Sequence, residues 1–217
     1  MGPRTSTIAI AGPAGRIDTA VDTPSGEVVG TAVIAHPHPL FGGTRDNKVT
    51  QTLARALRAC GHVVLRPNFR GVGTSDGTHD EGRGETEDLL HVVAHARELA
   101  APGAPVVLGG FSFGAFVASK AGARLRTQGR PVSRMVLVGV AASRFDVDTV
   151  PEDSLVIHGE LDDVVPLAAV FDWARPQDLP VTVLPGADHF FHRRLTTIKR
   201  LVIQWMATAA PAEDDEE

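Results

Sequence analysis

Six short runs rich in valine, isoleucine and leucine recur along the chain with helix-length segments between them. This alternation constrains the fold more than any other feature. The runs are Thr31–His36, Val63–Pro67, Val106–Gly109, Met135–Val140, Leu155–His158 and Val181–Leu184. Near-continuous apolar character is what a strand needs when helices cover both faces of its sheet, and strands alternating with helices read as parallel strands joined by crossovers. The intervening segments Lys48–Ala59, Glu85–Leu99, Phe113–Arg126, Val164–Ala174 and Leu195–Thr208 are the candidate helices. Acidic residues at Glu85 and beyond favour a helix start there, because negative charge suits a helix N-terminus. Ahead of the first crossover, Thr7–Ala11 and Ile17–Thr23 flank a GPAG turn and read as an antiparallel hairpin extending one sheet edge. The expectation is an α/β class: a doubly wound, mostly parallel sheet with helices on both faces.

A length of 217 residues suits one compact domain, placed at 1–210, with the acidic, apolar-poor end PAEDDEE at 211–217 read as a solvated, mobile tail. The net charge of −5, with Lys and Arg scattered, gives no electrostatic footprint for a phosphate backbone, so no nucleic-acid partner is expected. A single cysteine, Cys60, excludes an internal disulfide. No run approaches the ~20 apolar residues of a membrane span, and the start MGPRTSTIAIAG has no apolar stretch behind a basic segment. A cytoplasmic protein without a membrane partner is expected; homo-oligomerisation stays open.

Chemistry enters with the pattern G-x-S-x-G, which occurs twice, as GVGTSDG around Ser75 and GGFSFGA around Ser112. A serine nucleophile in this pattern needs a strand behind it, a sharp crowded turn that lifts it above the sheet, and a helix starting at once. Ser112 has all three: VVLGGF ends a strand and FGAFVASKAGARL follows as a helix. Ser75 is followed by the polar, glycine-rich DGTHDEGRG, and its expected role is a hydroxyl that pins a tight loop to the backbone.

An unassisted serine is a weak nucleophile and needs a base in hydrogen-bond reach, with an acid to orient that base. The order serine, acid, histidine is the one to seek. LVIHGELDDVVP ends a strand and puts Asp162 in the following turn; VTVLPGADHFF does the same for His189 one strand later. Asp163 competes as the acid, in which case Asp162 would cap the next helix. Of the remaining histidines, His91 and His95 fall on a helix and His192 lies close by, but His189 directly follows a strand end in a G-x-D-H turn.

These residues resemble the α/β-hydrolase superfamily. HPHPLFGGTRDNKV, RPNFRGVGTSDG, GFSFGA, HGELDDVVP and PGADHFF together are similar to small bacterial carboxylesterases related to dienelactone hydrolases, over about Thr31 to Trp205. The resemblance implies a serine hydrolase with a Ser112–His189–Asp162 triad, acting without cofactor or metal on a small-molecule ester or related acyl bond. It assigns Arg70, Gly71, Gly73 and Ser75 to a structural loop beside the site. It implies an oxyanion hole built from the Phe113 N–H and a second N–H in HPHPLFGG, where Pro37 and Pro39 have none to give; His38 is preferred, with Leu40 as the alternative. Only Ala141–Asp153 separates the sixth strand from the next, too little chain for a cap domain. Substrate contacts would then fall to short loops near Phe41, Thr78–Arg83, Phe145 and Phe190–Phe191, with Phe41 and Phe190 as the substrate-binding candidates.

Other readings use the same residues. Acyl transfer, or thioester, lactone or peptide cleavage, would need the same triad. A metal-dependent hydrolase could draw on His36 and His38 with His62, His79, Asp80, Asp188 or His192, although intervening prolines oppose it. A dinucleotide-binding protein would require G-x-G-x-x-G, and Asp76 stands where the third glycine is needed. A non-catalytic binding module on the same fold would be expected to have lost a triad member.

Overall fold

A computed structural model describes residues 4–208; the acidic tail at 211–217 lies outside them. Eight strands among these residues form one sheet: β1 (Arg4–Gly12), β2 (Gly15–Thr23), β3 (Gly30–Ala35), β4 (His62–Pro67), β5 (Val106–Phe111), β6 (Arg134–Val138), β7 (Leu155–Gly159) and β8 (Val181–Leu184). Their spatial order is β1-β2-β4-β3-β5-β6-β7-β8. The β1–β2 hairpin and the β2–β4 pair are antiparallel and every other pair is parallel. The fold is therefore the doubly wound, mostly parallel α/β sheet expected from the alternating runs, with the hairpin on one edge.

Among the described residues five α-helices cover the sheet: α1 (Lys48–Ala59), α2 (Arg83–Glu98), α3 (Phe113–Thr127), α4 (Leu167–Ala174) and α5 (Leu195–Ala207). Two apolar layers result, because side chains alternate faces along each strand. On one face Val33, Leu65, Leu108 and Leu137 pack with Leu89, Val93, Val117 and Ala121 from α2 and α3. On the other, Ile34, Val64, Val107 and Val136 pack with Leu53 and Leu57 of α1 and Ile198 and Val202 of α5.

Two helix starts differ from expectation for identifiable reasons. Helix α4 starts at Leu167 rather than Val164 because Pro166 disfavours a helical Val165, and the Asp162 side chain holds the preceding turn. Helix α2 starts two residues before Glu85. The Glu85 carboxylate lies in the first turn and accepts from the N–H groups of Gly82 at 2.8 Å and Asp80 at 2.9 Å. Residues 139–154, between β6 and β7, contain neither helix nor strand, so no cap covers the sheet edge there. No helix among the described residues is long and apolar enough to cross a membrane.

The winding of the chain reverses beside β3, since β4 lies to one side of it and β5 to the other. A crevice opens at such a switch point, outside the carboxyl ends of the strands. The loops after β3, β5, β7 and β8 all emerge at this edge.

Candidate active site

Ser112 stands between the last residue of β5 and the first of α3, with φ 56° and ψ −118°. A non-glycine residue there is strained, and the surrounding packing must hold it. The two glycines of the pattern explain how. A Cβ on Gly110 would overlap the backbone of Gly114, and one on Gly114 would sit 2.5 Å from the His36 carbonyl oxygen. Their absence of side chains lets strand, helix and the end of β3 close on one another. The Ser112 N–H donates to Val138 O at 2.9 Å, which ties the turn to β6.

His189 and Asp162 meet this serine. Ser112 Oγ lies 3.0 Å from His189 Nε2, and His189 Nδ1 lies 2.7 Å from Asp162 Oδ2. An ionised carboxylate can only accept, so Nδ1 carries the proton and Nε2 is left to accept from the serine hydroxyl. All three residues are buried. The other Asp162 oxygen, Oδ1, accepts from the N–H groups of Val164 at 3.0 Å and Val165 at 2.7 Å. Burial pushes the Asp162 pKa up, but the hydrogen bonds from His189 and the Val165 N–H, with the nearby histidines, outweigh it and leave the group below its ordinary 3.8. Asp163 is exposed, and His192 is engaged at the surface with Asp188, 2.5 Å away.

The loop after β3 faces Ser112. The His38 carbonyl accepts from the N–H groups of Phe41 and Gly43, both at 3.1 Å, and closes a short 3-10 turn over Pro39–Phe41. Leu40 is the poorer of the two oxyanion candidates in this geometry. Its N–H is turned toward His38 Nδ1 at 3.3 Å, and its side chain is 69% exposed, away from the serine. The His38 N–H has no acceptor among the described residues. The Phe113 N–H opens α3 and so has no partner within the helix. A cleft of about 300 Å³ holds Ser112, His189, His38, Phe41, Phe190 and Arg144 on its walls. Phe190 is half exposed at its rim, whereas Phe191 does not join it: that ring is fully buried against Phe111 and fixes the turn carrying His189.

Three further neighbours border the site. His36 donates through Nδ1 to the Pro37 carbonyl at 2.6 Å and accepts through Nε2 from the Phe69 N–H at 3.0 Å. Both ring nitrogens are thus engaged, so His36 and His38 do not present a free pair of metal ligands; burial holds the His36 pKa down at about 4. His158, on β7, lies directly against Asp162. Arg144 reaches the cleft from the β6–β7 loop. A polar residue inside the apolar run LVIH is the one clue the sequence offers for His158, while the placement of Arg144 depends on the path of the whole loop.

Ser75, the rival serine, is buried in a different setting. Its hydroxyl donates to Asn68 O and accepts from the Asp18 N–H, both at 2.9 Å, while Arg70 grips Asp88 at 2.8 and 2.9 Å. The RGVGTSDG loop is cross-linked to β2 and α2, with no histidine at its serine.

Comparison with known proteins agrees with this architecture. The family model of the alpha/beta hydrolase fold matches residues 38–152. A crystal structure of an α/β serine hydrolase without a lid from Xanthomonas campestris is 36% identical, covers 96% of both chains and superimposes with a TM-score of 0.86. An α/β serine hydrolase homologue from Coxiella burnetii is also 36% identical, covers 92% of this chain and 96% of its own, with a TM-score of 0.79. An uncharacterized protein of Rickettsia prowazekii is 27% identical over 91% of this chain and 87% of its own length. Strand order, a serine on a strand-to-helix turn and these likenesses place the chain in the α/β-hydrolase fold family.

Proposed function

We propose that this protein is a serine hydrolase that cleaves small carboxylic esters through an acyl-enzyme intermediate. The observation that carries the reading is the unbroken contact from Ser112 Oγ through the His189 ring to Asp162, at 3.0 and 2.7 Å. His189 Nε2 takes the hydroxyl proton as Ser112 Oγ attacks the acyl carbon. The tetrahedral oxyanion is held by the N–H groups of Phe113 and His38, a type of contact whose loss costs ~2.7–4 kcal/mol in other enzymes. Collapse expels the alcohol, which leaves with the proton from His189. Water then gives a proton to His189 and attacks the acyl-enzyme, releasing the acid and restoring Ser112. Asp162 keeps the imidazole in one tautomer and stabilises its charged form.

The size of the substrate follows from the walls. A cleft of about 300 Å³ is at the small end for ligand sites, and no cap extends it. The Xanthomonas relative is likewise described as lacking a lid. Phe41, which is 79% exposed, and Phe190 supply the apolar surface for a short acyl or alcohol chain.

Fluorophosphonate labelling followed by peptide mass analysis tests the assignment, together with turnover of p-nitrophenyl acetate and butyrate. The expected result is one modified residue, Ser112, and at least a thousandfold lower kcat for Ser112→Ala, roughly the scale of losing a triad nucleophile. Labelling at Ser75, or a Ser112→Ala protein that keeps its esterase activity, would overturn the reading.

A further inference from the structure

Of the residues on the walls of the Ser112 cleft, Arg144 alone is an arginine, lysine, aspartate or glutamate. It also borders a second hollow of about 650 Å³ that continues past His38 and Phe41 toward Lys120. The acids nearby are turned to other cations. Asp146 and Asp148 face Lys120 at 3.4 and 3.2 Å, and Glu81 faces Arg83 at 3.4 Å. Among the described residues no carboxylate is ion-paired with Arg144. An exposed arginine needs no protein partner, since water can satisfy it; its mounting is what sets this one apart. The backbone N–H groups of Arg144 and Phe145 both donate to Ala141 O at 3.1 Å. The Phe145 ring stacks on Phe116 with centroids 4.6 Å apart and lies 5.3 Å from Phe113, the residue after Ser112. The arginine is therefore carried on a turn clamped to the helix that starts at the serine. Its field reaches across the cleft: burial is the main cause that lowers the His38 pKa, and the Arg144 charge adds to it, as does His79, against Glu85.

We propose that Arg144 is an anion anchor that selects esters bearing a carboxylate a few atoms from the scissile carbonyl. This rests on the serine-esterase reading above. The planar guanidinium offers two parallel N–H donors to a carboxylate, and the methylene chain between that group and the ester lies against Phe41 and Phe190. Arg144 makes and breaks no bond: with water a hemiester gives a dicarboxylic acid and an alcohol, and an ester carrying the carboxylate on its alcohol side gives a carboxylic acid and a hydroxy acid, both by the serine chemistry already described.

Three esters of similar length test this in a pH-stat. Monoethyl adipate carries the carboxylate on the acyl side, 4-acetoxybutanoate carries it on the alcohol side, and ethyl hexanoate is neutral. The wild-type protein should show a higher kcat/KM for one or both anionic esters than for ethyl hexanoate. Arg144→Gln should lower that ratio about fivefold, chiefly through KM, the upper reach of an exposed ion pair. Arg144→Lys should keep part of the preference, and raising ionic strength should erode it in the wild type. Which anionic ester responds identifies the side of the ester that faces Arg144. A ratio that is the same in the wild type and Arg144→Gln overturns the proposal. If the wild type cleaves none of the three and Ser112 is not labelled, the esterase reading fails instead. Calorimetric binding of monoethyl adipate to the wild type and to Arg144→Gln then decides the anchor alone, with equal affinities overturning it.

Discussion

Asp162 serves two partners with its two oxygens. Oδ1 closes the turn at Val164 and Val165 and Oδ2 faces His189, so helix-start capping and histidine orientation, which read as rival roles along the sequence, belong to one side chain. The same carboxylate has a third neighbour in His158. That ring is completely buried, its Nε2 lies 2.9 Å from Val165 O, and the same nitrogen is 3.3 Å from Asp162 Oδ2. A nitrogen that donates to a carbonyl carries its proton, so a neutral imidazole presents an N–H dipole beneath the carboxylate. Burial favours that neutral form and lowers the His158 pKa, against the opposing pull of Val165 O and Asp162. Replacing it, as His158→Leu, should leave the Val165 carbonyl without its donor and cost about 1–3 kcal/mol in urea unfolding. It should also reduce kcat on p-nitrophenyl acetate several-fold with little change in KM, because the group positions Asp162 rather than substrate. A variant with wild-type unfolding midpoint and wild-type kcat would show that His158 only fills space.

At the scale of elements, the site depends on how closely α3 is set against the end of β3. Gly114 is the contact point, with Ala35 and His36 carbonyl oxygens where a side chain would go. Those are backbone atoms and cannot rotate aside. Gly114→Ala should therefore destabilise the protein by about 1–3 kcal/mol, the usual range for overpacking, and push the His38 loop away from Ser112. The rate of fluorophosphonate labelling at Ser112 reports the second effect, and a labelling rate equal to wild type would show that the loop does not move. The same junction explains what the sequence could and could not convey. Strand, serine and helix are consecutive in GGFSFGA, so the strained turn is written locally. The six apolar runs are legible for the same reason and correspond to β3 through β8. The path of residues 36–47 is not local. His36 is held by Phe69, and Arg45 by Asp18 at 2.6 Å and by Asn68 at 3.0 Å, partners that lie far off in sequence. Whether His38 or Leu40 turns its N–H toward the serine depends on those contacts. The inward Phe191 and the cleft-facing Arg144 were hidden for the same reason, since each depends on where a distant segment passes.

For the molecule as a whole, the buried histidines make stability depend on pH well before the carboxylates titrate. His36, His62 and His158 are all buried, and burial lowers each pKa, that of His36 from 6.5 to about 4. Between those two values the unfolded chain binds a proton that folded His36 refuses, so its contribution is complete above pH 6.5 and is lost as pH falls. For His36 alone the loss is about 2 kcal/mol by pH 5. The aspartates act lower down. Burial raises the Asp18 pKa, but its pairing with Arg45 outweighs this, and Asp18 and Asp162 both end below the ordinary 3.8. Their stabilisation persists above that value and disappears only as pH drops through their folded pKa values. Acid unfolding should thus begin with histidines near pH 6 and finish with carboxylates below 4. Urea unfolding of the wild type and His36→Gln at pH 7.5 and 5.0 separates the first stage. The variant should be less stable at pH 7.5, where the Phe69 contact is lost, yet should lose about 2 kcal/mol less than the wild type on going to pH 5.0. Equal losses in the two proteins would remove His36 from the account. A difference of that size would mean that the proton binds the unfolded chain while folded His36 stays largely neutral at pH 5.0, so stability falls before the loop carrying His38 loses its Phe69 anchor.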